Sequence, residues 1–287
     1  MHIKKPKIAL INDTSCYSDH FGCQLVGQTF REQFKRVGLD LVLTLPKTFN
    51  AEDYEHIFKK VDLICINGEG SIHHGRNLHL IELARKYPSC LVNCVFQDNP
   101  ETTPLDSLLY LSARESLSSS AIRSLGVDCE TVPDILFASS FLNSFPKRKP
   151  IKDIGITDCV IKDYRNFGPL KRRLKYDIYA HSTPPYKVFE KLSEFQRVAT
   201  GRFHIAIACS VLEIPFSTWD SNTWKTKGLM ADMKNKAHHF KTREAAVASV
   251  PEEISDSTKT FAKSAHSRIE AMFEQLRDIA CAGSDRI

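Results

Sequence analysis

Short apolar runs alternate with amphipathic stretches along the first half of the chain. The run VDLICING at 61–68 is apolar at almost every position, which is typical of a strand buried on both faces of a sheet. Residues 22–38 instead carry apolar side chains three and four positions apart and end at Gly38, which predicts a helix and its stop. Because these units repeat as strand, helix and strand, the pattern predicts a parallel sheet covered by helices on both faces.

A change of composition at 141–152 divides the chain. This stretch, FLNSFPKRKPIK, contains two prolines and four basic residues and predicts a linker. A second strand and helix set follows, which includes the predicted strand IGITDCVI at 154–161 and the segment DIYAHS at 177–182. The amphipathic stretch 254–282 predicts a long helix that packs back on the domains. We therefore predict an α/β fold with two Rossmann-like β/α/β domains facing a cleft, at 1–145 and 150–250, and a C-terminal helix at 254–287.

The composition narrows the class of protein. Of the 287 residues, 42% are apolar and 25% are charged, which is ordinary for a globular protein, and the net charge is +5. This excess is too small for a dedicated nucleic-acid binder, so no nucleic-acid partner is predicted, but it suits an anionic small molecule or an acidic glycan. The nine cysteines form no CxxC pair and predict reduced thiols. Without a signal peptide or membrane span in the pattern, we expect a cytoplasmic protein, and peripheral docking on the inner face of the membrane stays open.

Ligands of open α/β sheets bind beyond the carboxyl ends of the strands, so functional residues are expected in the loops that follow strands. In INGEGSIHHGRN at 66–77, glycines allow a tight turn and close approach of a ligand to the backbone. Glu69 is a candidate catalytic acid or base, and His73 is a candidate anion ligand or proton carrier. The alternative is a plain turn with surface histidines. The candidate donor-binding residues of this loop are Gly68, Gly70, Ser71, His73 and His74.

Three charged residues follow other predicted strands. At the end of one, the guanidinium of Arg114 is suited to hold a carboxylate or phosphate of a donor, or to pair with a neighbouring acid. Asp134 ends the next strand and is a weaker candidate, since a turn or capping role explains it as well. Asp98 in FQDNPE is a candidate nucleophile or base, and a turn-forming Asp-Asn-Pro explains it equally.

The stretch VATGRFHIAIACS at 198–210 places basic side chains where a helix starts. A strand-like run meets Thr-Gly, and a helix is predicted from near Arg202, with Arg202 and His204 in its first turn. That end of a helix carries partial positive charge and its N–H groups bind anions, so cationic side chains there indicate an anionic ligand. Arg202 and His204 are therefore candidate catalytic residues, and Gly201 is a candidate donor-binding residue.

The loop after the predicted strand IPFSTW adds further polar groups. It contains Ser221, Asn222 and Lys225, whose hydroxyl, amide and ammonium groups together suit a phosphate or a sugar. We predict a donor-binding role for the three residues, and the alternative is a solvated loop.

Four blocks of the chain resemble the polysaccharide pyruvyltransferases and their relatives. NGEGSIHHG resembles the family's Gly-rich loop, and SARESLSSSAIRSLGV followed by VPD resembles its Arg-Asp/Glu-x-x-Ser block. ATGRFHIAIACSVLEIPF resembles its Arg-x-His helix and the next strand, with Glu213 where the family has glycine, and SNTWKTKGLMADM resembles its Ser-Asn-x-x-Lys segment. The blocks occur in the family's order and cover most of the chain.

The resemblance implies a fold like that of the GT-B glycosyltransferases and a role in the synthesis of cell-envelope polysaccharide. Enzymes of this kind take the enolpyruvyl group of phosphoenolpyruvate and build a ketal on a glycan sugar. The implied partners are a small anionic donor and a glycan acceptor, with no cofactor. Arg114, Arg202 and His204 match the family's basic donor-binding positions, and His73 or His74 matches another. This implies that His204 protonates the enol carbon while charge at C2 is stabilised electrostatically.

Other activities stay open at this point. A transferase for Kdo or a sialic-acid type sugar, donated from its cytidine monophosphate conjugate, also handles a carboxylate beside the reacting carbon, and Glu69, Asp98 or Asp134 would then be the candidate nucleophile. A non-catalytic binding protein on the same fold is disfavoured because the basic residues are present. An unrelated nucleotide-dependent enzyme is disfavoured because no P-loop or dinucleotide fingerprint occurs. No metal is predicted, because the adjacent histidines at 73 and 74 lack an i,i+4 partner.

Overall fold

The computed structural model describes residues 5–16, 20–160, 176–181 and 183–284 of the chain. The chain divides into two compact units. The first unit comprises Met1–Cys16, Val26–Ser139 and Ala265–Ile287, and the second comprises Tyr17–Leu25 and Ser140–Ser264.

The first unit contains a six-stranded parallel sheet in the order β2-β1-β3-β4-β5-β6. Both β3 and β4 are buried along their whole length, as expected for strands that have packed layers on both faces. The strands of this sheet are β1 (Lys7–Ile11), β2 (Asp40–Leu45), β3 (Leu63–Glu69), β4 (Ser89–Cys94), β5 (Tyr110–Ala113) and β6 (Glu130–Thr131).

The second unit contains a four-stranded parallel sheet in the order β10-β9-β8-β7. Its core includes Ala199 of β8 and Trp219 of β9, which pack with Ala246 and Val250. Gly201, at the end of β8, has no room for a side chain, because an added Cβ would lie 2.6 Å from the Trp219 ring. The strands of this sheet are β7 (Lys152–Cys159), β8 (Phe195–Gly201), β9 (Phe216–Trp219) and β10 (His239–Phe240).

The helices vary from single turns to a helix of 29 residues. The first and the last meet in the core of the first unit, where Phe34 packs edge-on against Phe273 with ring centroids 5.4 Å apart. The α-helices of the described residues are α1 (Phe21–Arg36), α2 (Glu55–Phe58), α3 (His79–Glu82), α4 (Ser116–Arg123), α5 (Ser140–Asn143), α6 (Pro185–Leu192), α7 (Phe203–Leu212), α8 (Lys225–Asp232), α9 (Arg243–Ala248) and α10 (Asp256–Ser284).

The α/β class with parallel sheets is confirmed, and the differences from the predicted elements are local. The segment DIYAHS was expected within the second strand and helix set, but Ile178 and His181 make only isolated bridges, and position 182 lies outside the described residues. The predicted helix near Arg202 begins at Phe203, and Arg202 is its N-cap residue with extended backbone angles. The predicted strand IGITDCVI ends at Cys159, and its last position, 161, is also outside the described residues.

Candidate functional site

Three asparagines line the carboxyl edge of the first sheet. Asn12 follows β1, while Asn67 and Asn93 lie near the ends of β3 and β4, and all three are buried. The Asn12 amide donates to the Asn67 carbonyl at 2.6 Å, and the Asn93 amide donates to Asn67 Oδ1 at 3.2 Å. Asn12 also donates to the Ser71 hydroxyl at 3.2 Å, which ties the Gly-rich loop to the sheet. A chain of side-chain amides therefore positions this loop.

Glu69 lies at the last position of β3. Its side chain is buried and its backbone has a positive φ of 37°, a conformation that non-glycine residues rarely adopt. Gly68 before it has no room for a Cβ, which would overlap Cys94, and an added Cβ at Gly70 would lie 3.4 Å from Arg114 Nη2. The loop thus needs a glycine at position 68 for close packing, whereas a side chain at position 70 would make an ordinary contact. The loop holds a carboxylate at a strand end, as the sequence predicted.

The two loop histidines contact one another and Asp98. His73 Nδ1 lies 2.7 Å from His74 Nδ1, and His74 Nε2 lies 3.2 Å from Asp98 Oδ2. His73 is buried, while the side chains of His74 and Asp98 are exposed. The structure therefore brings together His73, His74 and Asp98, which the sequence had placed in two separate loops.

Arg114 and Asp134 form a buried ion pair. Arg114 Nη1 donates to Asp134 Oδ2 at 2.9 Å, and the side chains are 2% and 0% exposed. Asp134 Oδ1 also accepts from the backbone N–H of Leu136 and caps the short 3-10 helix Ile135–Ala138. From the sequence, an ion pair for Arg114 and a capping role for Asp134 were named as alternatives to ligand binding. The structure shows both of these contacts.

In the second unit, Arg202 is also held by a carboxylate. Arg202 Nη2 lies 2.5 Å from Asp158 Oδ2 and Nε donates to Asp158 Oδ1 at 3.2 Å, and both residues are buried. Asp158 Oδ1 additionally accepts from the Ala180 backbone at 3.0 Å, which fixes the segment that carries His181. Asp158 thus positions two basic residues, and it partly balances the charge of Arg202.

His204, in the first turn of α7, packs against the start of α1. A Cβ added at Gly22 would overlap the His204 ring, so the backbone of α1 lies directly on the imidazole. The ring of His20 lies 5.8 Å from that of His204, centroid to centroid, in an edge-to-face arrangement. The backbones of His20 and His181 form an antiparallel bridge. Three histidines therefore lie together in the second unit.

Lys225 completes a group that we call the cationic cluster, made of His20, His181, Arg202, His204 and Lys225. Burial and the charges of His204, Arg202, His181 and Lys225 lower the pKa of His20 to about 3, so its imidazole is neutral near pH 7. Lys225 is 7% exposed, and its Nζ donates to Asn222 Oδ1 at 2.5 Å. Ser221 donates to the same oxygen at 3.3 Å, so the predicted Ser221, Asn222 and Lys225 group is brought together.

Acid should unfold the wild-type protein more readily than a His20→Gln variant. Between about pH 6.5 and pH 3 the unfolded chain binds a proton at His20 and the folded chain does not, so this residue costs stability as the pH falls. The loss is at most about 1.4 kcal/mol per pH unit in that range. Urea denaturation at several pH values measures it. His56→Gln, at an exposed histidine, is the control and should follow the wild type. Equal slopes for wild type and His20→Gln would contradict the low pKa.

The sequence did not reveal four residues of the second unit: His20, Gly22, Asp158 and His181. His20 and Gly22 precede the apolar pattern of α1, and nothing in that pattern relates them to residues 181–225. Asp158 could have been predicted as the partner of Arg202. It is an acid at a strand end, and Arg202 follows the end of the neighbouring strand.

A cavity of about 550 Å³ lies at the opposite edge of the first sheet. Its lining includes Asp62, Pro88 and Leu109, which directly precede β3, β4 and β5, together with Ile279 of α10. It therefore lies at the amino ends of the strands, away from the edge where ligands of such sheets bind.

Within residues 5–16, 20–160, 176–181 and 183–284, no group of three or more His, Cys, Asp or Glu side chains is arranged to hold a metal ion. Over the same part of the chain, no helix combines the length and the apolar character needed to cross a membrane.

The fold agrees with comparisons to known proteins. In three dimensions the chain is similar to an uncharacterised protein from Klebsiella pneumoniae, with a TM-score of 0.58 and 14% identity over 83% of this chain and 93% of that one. It is also similar to the UDP-GlcNAc 2-epimerase from Methanocaldococcus jannaschii, with a TM-score of 0.51 and 11% identity over 94% and 99% of the two chains. These likenesses show an α/β fold of the GT-B-like class.

The family follows from the sequence itself. Residues 20–218 match the family model of the polysaccharide pyruvyl transferases. No curated protein matches the chain significantly in sequence. The chain belongs to the polysaccharide pyruvyl transferase family, and it is accordingly a transferase.

Proposed function

We propose that this transferase moves the pyruvyl group of phosphoenolpyruvate to a sugar of a cell-surface glycan. The observation that carries the proposal is the cationic cluster of the second unit, in which His20 contacts His204 and His181 and lies close to Arg202 and Lys225. Basic side chains held this close, three of them histidines, favour an anionic ligand. Membership of the polysaccharide pyruvyl transferase family supports pyruvyl as the group that is transferred.

Phosphoenolpyruvate suits this cluster because it carries a carboxylate and a phosphate on the same carbon, C2. Arg202 already shares its charge with Asp158, so the histidines and Lys225 supply much of the remaining attraction. In the proposed complex, Lys225 and Arg202 hold the anionic groups and His204 faces the enol carbon. Ser221 and Asn222 add hydrogen bonds beside Lys225.

The reaction requires one proton at C3 and two new bonds at C2. His204 gives a proton to C3, and the electrons of the C2–C3 double bond form the new C–H bond. Positive charge then develops at C2, where a first sugar hydroxyl adds, and departure of phosphate allows a second hydroxyl to close the ketal. Of the two hydroxyl protons, one restores His204 and the other leaves with phosphate. General acid catalysis of this kind contributes about 10²- to 10⁴-fold.

In the first unit, we propose that Glu69 acts as an acid or base and that the Gly-rich loop and Arg114 contribute to donor binding. The support is the resemblance of NGEGSIHHG and of the block that contains Arg114 to the family's motifs, together with the buried carboxylate at the end of β3. Arg114 would keep its bond to Asp134 in this role and use its other nitrogen atoms.

Thermal denaturation with added ligands tests the donor. Phosphoenolpyruvate should raise the melting temperature with concentration, because a ligand that binds only the folded state at 100 times its Kd stabilises it by about 2.7 kcal/mol. Lys225→Met should remove this rise. Its matched control is Lys227→Met on the same helix, where the side chain is exposed, and that variant should respond like the wild type.

A rise with cytidine monophosphate and none with phosphoenolpyruvate would contradict the proposal. It would instead favour a donor of the cytidine-activated keto-sugar acid class, and Glu69, Asp98 and Asp134 would then be the carboxylates to replace.

A further inference from the structure

The segment 95–99, which directly follows β4, lies along the Gly-rich loop of the first unit. The backbone N–H of Val95 donates to the Glu69 carbonyl at 2.8 Å, and the backbone N–H of His74 donates to the Gln97 carbonyl at 2.8 Å. Backbone groups of this segment therefore hold both ends of the stretch that carries the predicted acid or base and the loop histidines.

A different backbone group of the same segment is bound to α4. Between Val95 and Gln97, the backbone N–H of Phe96 donates to the hydroxyl of Ser118 at 2.9 Å. Ser118 is fully buried and Phe96 is 3% exposed, so this N–H depends on the hydroxyl rather than on solvent for its hydrogen bond. The hydroxyl of one α4 residue thus anchors the segment that in turn holds the Gly-rich loop.

The buried carboxylate of Glu115 fixes the orientation of that hydroxyl. It accepts from the backbone N–H of Leu117 at 2.8 Å and from that of Ser118 at 3.1 Å, and the Ser118 hydroxyl donates to it as well. A serine hydroxyl has one proton to donate and lone pairs to accept with. Here the proton is directed to Glu115, so a lone pair is presented to the Phe96 N–H.

We propose that Ser118, oriented by Glu115, is a positioning residue for the Gly-rich loop. Its hydroxyl fixes the segment 95–99, and that segment fixes the backbone at Glu69 and His74. The proposal gives a role to the glutamate and the serine of the block SARESLSSSAIRSLGV, of which the proposed function uses only the arginine. It rests on the proposed function in one respect, that the Gly-rich loop acts on the donor.

Amide hydrogen exchange tests the positioning without any activity. Ser118→Ala removes the acceptor, so the amides of 69–75 and 95–99 should exchange about tenfold faster than in the wild type. The matched control is Ser120→Ala, at an exposed serine of the same helix, which should exchange like the wild type. Unchanged exchange at 69–75, or faster exchange confined to α4, would overturn the proposal.

The imidazole signals of the loop histidines give a signature that a general loss of stability would not move. In protein labelled with ¹⁵N at histidine, Ser118→Ala should shift the signals of His73 and His74 and leave that of the exposed His56 unchanged. If the alanine variant does not fold, Ser118→Cys replaces it, because a thiol has a similar size and is a weak acceptor. Unchanged signals at both loop histidines would contradict the positioning.

Transfer kinetics separate this inference from the choice of donor. With phosphoenolpyruvate as donor, Ser118→Ala should lower kcat about 10- to 100-fold, because a small misplacement of reacting groups has effects of that size. KM should change less, since the cationic cluster keeps all its residues. A wild-type protein that transfers nothing from phosphoenolpyruvate, with exchange and histidine signals altered as expected in Ser118→Ala, would contradict the proposed function and support the positioning. An active wild type with an equal kcat in Ser118→Ala would overturn the role of Ser118 alone.

Discussion

Replacement of His204 by glutamine is expected to lower pyruvyl transfer by about 10²- to 10⁴-fold, the contribution of a general acid. Glutamine has a similar size and keeps a hydrogen-bonding group, but it does not deliver a proton at neutral pH. The side chain of His204 is 6% exposed and packs on the backbone of Gly22, so a substitute of similar volume should preserve the fold. The measurement is phosphate released from phosphoenolpyruvate in the presence of a sugar acceptor.

His266→Gln is the control for that substitution. It removes a histidine on α10 that contacts only Glu270 among the ion pairs of the described residues, and full activity is expected. Circular dichroism and the melting temperature should be unchanged in both variants. A His204→Gln enzyme that retains more than about a tenth of the wild-type rate would exclude His204 as the proton donor.

Arg202→Ala is a less informative variant for the same question. Removing the guanidinium leaves Asp158 buried without its partner, which costs about 3–5 kcal/mol in comparable buried pairs. Lost activity could then reflect lost structure. For this reason the assignment of a proton donor is tested first at His204.

Replacement of Arg114 by methionine is expected to lower the free energy of unfolding by about 3–5 kcal/mol, because the buried Asp134 carboxylate would lose its arginine partner. The pair has side chains that are 2% and 0% exposed, with an N–O distance of 2.9 Å. This is a large fraction of the 5–15 kcal/mol that stabilises a typical domain. Urea denaturation at neutral pH measures the loss.

The matched control is the pair formed by Arg85 and Glu82, which has a shorter N–O distance of 2.7 Å but is about half exposed. Arg85→Met should cost less than about 1 kcal/mol. In addition, an Arg114→Met and Asp134→Asn double variant should be more stable than Arg114→Met alone, because the buried charge of Asp134 is removed as well. If Arg114→Met and Arg85→Met lower the free energy of unfolding by the same amount, burial does not make the Arg114–Asp134 pair more stabilising than an exposed pair.

The sheets were predictable from the sequence because the signals that specify them are local. A continuous apolar run such as 61–68 indicates a buried strand wherever it occurs, and Gly38, with a φ of +79°, ends α1 as a helix stop should. The four blocks that resemble the family also identified Arg202, His204 and Lys225, which the structure brings together in the second unit.

The rest of the site depends on contacts between distant parts of the chain. His20 forms a backbone bridge with His181 and packs on His204, residues far from it in the sequence, and no periodicity records those contacts. Asp158 competes for Arg202, a pairing that depends on the register of β7 and β8.

The interleaving of the two units along the chain has a consequence for folding during synthesis. The first unit includes Ala265–Ile287, and Phe273 packs there on Phe30 and Phe34, so this core cannot be completed until the last helix has left the ribosome. The second unit includes residues made near the beginning, among them His20 and Gly22. Neither unit corresponds to one continuous stretch of the chain. Segments that are synthesised early therefore cannot pack fully until their late-synthesised partners are available. During that time their apolar surface is exposed to chaperones.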